Sequence, residues 1–172
     1  PNSPAEIYSI CTPDLSILAQ CGINHLYGTR AYMAPEILDE NPHYDPFKAD
    51  IYSLGVVFFI LLTGFPPYTT PDVEKDPAYR RLCQIKIEMN ERKYAHHQQC
   101  IEAANNNKPA PPALHQPSLI AQLLAAYGKQ DLLPRELTDL LSHMMAWNFA
   151  SRASIKQSIK RIKKIIEYYK NK

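Results

Sequence analysis

Residues Ile51–Leu62 form twelve almost unbroken apolar positions, interrupted only by Ser53 and Gly55. Asp50 precedes the run, and Gly64 with Pro66-Pro67 comes after it. A carboxylate at a helix start meets free backbone N–H groups and the positive helix end, so Asp50 is read as the residue opening a helix. Gly and Pro beyond Leu62 read as its stop. A surface helix shows a polar face, and this one has none, so it is expected at the centre of a helical domain with neighbours on every side. Twelve residues fall short of the roughly twenty a membrane span requires, so no membrane span is expected here.

The surrounding chain supplies helices to cover it. Pro77–Glu91 reads as a second helix, with Tyr79, Leu82, Cys83 and Ile85 apolar. Asn105–Pro117 holds three asparagines and four prolines and reads as an exposed loop. Ser118–Tyr127 reads as a short helix. Pro134 suits the first position of a helix over Arg135–Met145, where Leu137, Leu140, Leu141, Met144 and Met145 make a stripe. Ser154–Lys170 is amphipathic, with Ile155, Ile159, Ile162, Ile166 and Tyr169 at 4-3-4-3 spacing. Upstream, Ala34–Leu38 reads as one helical turn, and Cys21–Arg30 and Asn41–Phe47 read as loops. Glu6–Cys11 alternates weakly, as a short strand would. The fold class is therefore mainly α, with at most a short β-hairpin remnant near the N-terminus.

Composition excludes several functions. The five glycines stand at 22, 28, 55, 64 and 128, too dispersed for any Gly-rich phosphate cradle. A hydrophobic fraction of 45% argues against global disorder. Four cysteines, at 11, 21, 83 and 100, form no Cys-x-x-Cys pair and no small disulfide framework. With no signal-peptide pattern in Pro1–Ile10, they suit an intracellular compartment, cytoplasmic or nuclear. The net charge of +2 is unevenly spread: residues 154–172 hold seven Lys/Arg and one Glu, leaving twelve basic and sixteen acidic residues elsewhere. A basic amphipathic helix can meet calmodulin, an acidic membrane or nucleic acid. The alternative is a helix docked through its isoleucines with a solvated basic face.

Three motifs carry chemistry. They are Gly28-Thr29-Arg30-Ala31-Tyr32-Met33-Ala34-Pro35-Glu36, then Asp50-Ile51-Tyr52-Ser53-Leu54-Gly55, then Trp147-Asn148-Phe149-Ala150-Ser151-Arg152-Ala153-Ser154. In order and spacing they resemble the C-terminal lobe of eukaryotic protein kinases of the Ser/Thr type. The resemblance runs from about Glu6 to the C-terminus and is weakest between Asn90 and Leu133. It implies one partial kinase domain: residues 1–36 would end the catalytic region and form the activation segment, and 37–172 the helical lower lobe with an enlarged loop around 91–130. It implies that Glu36 pairs with Arg152, that Asp50 accepts N–H bonds from the catalytic loop, and that Thr29 bonds near the catalytic base. Gly28, Thr29, Arg30, Ala31 and Tyr32 would line the groove beside the acceptor residue of a protein substrate. The last helix would then be a docked lobe helix, with no nucleic acid partner expected.

The parts that perform phosphoryl transfer are not found. No Gly-rich loop, strand lysine or His-Arg-Asp occurs in the chain, and no catalytic residue is assigned. The lobe reads as N-terminally truncated, needing a missing N-terminal lobe or a regulatory protein. ATP and Mg²⁺ are expected only for an intact domain. Around the family's metal-binding Asp-Phe-Gly, two registers stay open: Thr12-Pro13-Asp14 replaces the motif, or Asp14-Leu15-Ser16 is a degenerate form with Asp14 as the metal ligand. Ile17–Gly28 contains no Ser or Thr, so Tyr27 is its one phosphorylation candidate. His96-His97-x-x-Cys100 has too few ligands for an ordinary zinc site, and the family resemblance makes Tyr94 and His97 packing residues. Two functions remain open: a Ser/Thr protein kinase whose substrate-side lobe this is, inactive by itself, or a pseudokinase-like interaction scaffold.

Overall fold

The computed structural model describes residues 29–38 and 44–171. The expected strand at 6–11, Asp14, Tyr27 and Gly28 lie outside the described residues. A 3-10 turn, Arg30–Tyr32, leads into six helices: α1 Pro35–Leu38, α2 Pro46–Thr63, α3 Pro77–Asn105, α4 Leu119–Ala126, α5 Arg135–Met144 and α6 Ile155–Lys170. No strand occurs among the described residues.

Helix α2 starts earlier than expected. Asp45, not Asp50, is its N-cap, and its Oδ1 accepts from the N–H groups of Phe47 (2.9 Å) and Lys48 (3.2 Å). Pro46 at the first helical position has its φ preset and no N–H to satisfy, so the helix can begin there. Asp50 is thus an exposed residue in the second turn. The stop falls where expected: Gly64 adopts φ 80°, and its N–H donates to the Ile60 carbonyl at 2.8 Å. The helix is 18 residues long with mean hydropathy 1.5, enough by length and composition alone to cross a membrane. A third of that stretch is buried, on the face that meets α5.

That packing is one-sided. Ala49, Ile51, Tyr52, Gly55, Val56 and Phe59 are buried. Phe47, Leu54, Val57 and Leu61 are not, Leu61 being 74% exposed, so the expectation of cover on every side is corrected. Gly55 sits where α2 crosses α5: a Cβ there would lie 2.7 Å from Met145 Cγ and 3.1 Å from Met144 Cβ. The core behind it joins Tyr52, Phe59, Tyr68, Leu82, Ile85 and Leu123, among others.

Helix α3 is 29 residues, running to Asn105 rather than Glu91, so much of the expected enlarged loop is helix. Residues 91–104 are mostly Ala, Glu, Gln, Lys and Arg, which form helix readily but carry no apolar stripe for periodicity to find. Tyr94 is 67% exposed and His97 is exposed, so neither packs as the resemblance implies, while His96 is half-buried. Helices α4 and α5 pack on one another, α4 also on α3, and α5 also on α2 and α6. Helix α6 carries a full capping box between Ser154 and Gln157. It docks through Ser158, Ile162 and Ile165, leaving Ile155, Ile159, Ile166 and Tyr169 about half exposed.

Candidate functional site

The site is built on an ion pair between residues 116 positions apart. Arg152 Nη1 donates to Glu36 Oε1 at 2.6 Å and Nη2 donates to Glu36 Oε2 at 2.8 Å. Neither side chain is more than 4% exposed. Arg152 completes its bonding on main-chain oxygens: Nε to Ala146 (2.8 Å), Nη1 to Lys48 (2.8 Å) and Nη2 to Trp147 (3.4 Å). All five N–H groups of the guanidinium are therefore used. The Tyr52 ring lies 5.1 Å from the guanidinium carbon, and its hydroxyl meets that of Tyr68 at 2.9 Å. Burial pushes the Tyr52 phenol well above its ordinary range, so it stays neutral beside the cation.

Local sequence positions each partner. Glu36 is held by the single turn of α1, directly after the 3-10 turn. Arg152 comes after a turn made by Asn148, whose Oδ1 accepts from the Ala150 N–H at 3.0 Å and whose carbonyl accepts from the Ser151 hydroxyl at 2.9 Å. Lys48 locks this from α2: its ammonium donates to the Arg152 carbonyl.

Residues Thr29–Tyr32 lead into this anchor. Thr29, Arg30 and Tyr32 are exposed, while Ala31 turns into the core at 9% exposure. The Tyr32 N–H donates to the Thr29 carbonyl at 3.0 Å, and the Ser53 hydroxyl donates to the Tyr32 carbonyl at 2.8 Å. Glu36 and Arg152 are thus brought together, with Thr29–Tyr32 beside them. Asp50 stands apart and accepts no hydrogen bond from any described residue. The sequence alone does not single out Lys48, Tyr52 and Ser53 for these contacts. Tyr52 and Ser53 lie inside the Asp50–Gly55 motif, which is the available signal.

A protein kinase domain profile matches residues 14–162. The chain belongs to the protein kinase domain family. Its similarity to curated relatives is concentrated in shorter stretches. It is 54% identical over 60 residues to CBL-interacting serine/threonine-protein kinase 15 of Arabidopsis thaliana, covering 35% of this chain and 14% of the relative. It is 36% identical over 78 residues to CBL-interacting protein kinase 10 of Oryza sativa, covering 42% and 17%. Against a serine/threonine-protein kinase of Drosophila melanogaster it is 40% identical over 63 residues, covering 34% and 8%. The chain therefore spans under a fifth of the length of these relatives.

The family uses ATP and Mg²⁺. Among the described residues no group of three or more His, Cys, Asp or Glu side chains could hold a metal ion, and none of the three described glycines belongs to a phosphate cradle. The metal-ligand candidate Asp14 lies outside the described residues.

Proposed function

We propose that this chain is the substrate-side lobe of a serine/threonine protein kinase, presenting a protein's Ser or Thr to a phosphoryl donor held elsewhere. The buried Glu36–Arg152 pair carries this reading. It fixes the segment 29–36 to the helical body, leaving Arg30 and Tyr32 exposed on a rim whose backbone Ser53 holds. A fixed rim lowers the cost of orienting a flexible peptide, and positioning is most of what phosphoryl transfer asks of a protein. In this reading the chain works in the cytoplasm or nucleus, and by itself transfers no phosphate.

The test is steady-state kinetics of the full protein with ATP, Mg²⁺ and a Ser/Thr peptide. Arg30→Ala and Tyr32→Ala are expected to raise the peptide KM several-fold while leaving the ATP KM unchanged, because the rim contacts only the peptide. The 172-residue chain alone is expected to give no transfer above blank. If the full protein also gives none, the interaction-scaffold reading replaces this one.

A further inference from the structure

Between α3 and α4 the chain runs back along the helix it has just left. Asn107 takes a left-handed φ of 50°, and the Lys108 N–H donates to the Ala103 carbonyl at 2.8 Å, reversing the direction. The returning strap is Lys108-Pro109-Ala110-Pro111-Pro112-Ala113-Leu114-His115-Gln116-Pro117. Proline fixes φ near −65°, and a residue before proline is driven to extended or polyproline II geometry. Across 108–112 every residue is a proline, precedes one, or both, so the stretch is confined to polyproline II without needing hydrogen bonds of its own.

Two further contacts hold it down. His96 Nε2 lies 2.8 Å from the Pro112 carbonyl oxygen. That oxygen only accepts, so Nε2 carries the proton and Nδ1 is left to accept from the Cys100 thiol, 3.8 Å away. At the far end the Gln122 amide donates to the Pro117 carbonyl at 2.9 Å. The lengths agree: nine helical steps from His96 to Asn105 span about 14 Å, and five polyproline steps from Asn107 to Pro112 span about 16 Å.

A polyproline II helix has three residues per turn, so residues three apart share a ridge. Pro109, Pro112 and His115 are all exposed, and so are Lys108, Ala110 and Ala113, while Pro111 is half-buried. Pro109, Pro112 and His115 thus share an exposed ridge, and Pro111 alone among residues 108–115 is half-buried. The exposed ridge presents Pro109 and Pro112, the two prolines of the x-P-x-x-P pattern that aromatic-lined grooves accept, with Lys108 exposed before them.

We propose that this strap is a docking motif for a protein domain of the SH3 type, one whose aromatic groove takes two x-Pro units and whose acidic rim meets Lys108. Anchoring at Lys108, Pro112 and Pro117 orders the strap before binding, so less entropy is lost on complex formation.

The test titrates the full 172-residue chain against a panel of purified SH3 domains, with WW domains in parallel. Saturable binding to SH3 domains is expected, with affinity lost at least about tenfold in the double variant P109A/P112A at an unchanged melting temperature; this ratio corresponds to about 1.4 kcal/mol. H96A, which keeps the motif and frees the strap, is expected to bind several-fold more weakly. Binding to no SH3 domain, binding to WW domains alone, or binding that survives P109A/P112A would overturn the proposal. Equal or tighter binding by H96A would overturn its pre-organised form.

Discussion

Arg152 shows how one side chain can hold two distant segments in one geometry. Its charge is buried, and burying a charge is tolerable only when it is paired and fully hydrogen-bonded. Glu36 supplies the pair and three carbonyls supply the rest. Removing Glu36 leaves an uncompensated guanidinium, so Glu36→Ala is expected to lower stability by about 3–5 kcal/mol in urea denaturation. Arg152→Lys keeps the charge but has three donors in place of a planar fork of five, so it is expected to destabilise measurably too. A loss within about 0.5 kcal/mol for either would mean the pair is not structural. Asp76 gives a pH-dependent counterpart. Its burial would raise the carboxyl, but bonds from the Thr70 N–H, the Thr69 hydroxyl and the N–H groups of Tyr79 and Thr69 outweigh this and hold it at about 2. Its folded value lies below the unfolded one near 3.9, so its contribution is present above about pH 4 and lost as pH falls toward about 2. That contribution is about 2 kcal/mol, and Asp76→Asn is expected to flatten the acid limb of a stability–pH curve by this amount. The Glu36–Arg152 partnership was legible in the sequence because two motifs named both ends. The use of Lys48 and of three backbone oxygens was not, since main-chain acceptors have no sequence signature.

At the scale of elements, boundaries were legible where a residue has one physical reason to stand there. Gly64 ends α2 because only a residue without Cβ takes φ 80° freely. Ser154 starts α6 through a capping box with Gln157. The start of α2 is ambiguous in sequence because two aspartates compete: Asp50 borders the apolar run, but Asp45 has Pro46 after it and caps the helix. Asp45→Ala is expected to cost about 1 kcal/mol, and Asp50→Ala close to nothing, in paired thermal melts. The far half of α3 has no sequence signal because helix propensity without amphipathicity leaves no period to count. Gly55 is a different kind of element property, the clearance between two helices. Gly55→Val would drive a branched side chain into Met144 and Met145, and a loss of about 1–3 kcal/mol is expected. A neutral Gly55→Val would show that α2 and α5 can separate without cost.

At the scale of the whole molecule, the apolar faces left open decide how the polypeptide behaves. Phe47, Leu54 and Leu61 recur every seven residues along one side of α2, at 65%, 40% and 74% exposure. Ile155 of α6 joins Phe47, Ile51 and Leu54 around a depression of about 400 Å³, and Phe58 lines a second with Ile162 and Ile166. Residues of α2 and α6 thus line both depressions, and Lys156, Lys163 and Lys170 recur along α6 at the same seven-residue interval. Contiguous apolar patches of several hundred Å² are uncommon on monomers and drive association. The 172-residue polypeptide is therefore expected to bind an apolar dye and to self-associate as its concentration rises. Leu54→Lys with Leu61→Lys is expected to reduce both effects without lowering the melting temperature, because both side chains stand exposed in the folded chain. A dye-silent monomer would mean that this surface is covered. A fall in melting temperature in the double variant would mean that the two leucines belong to the core after all.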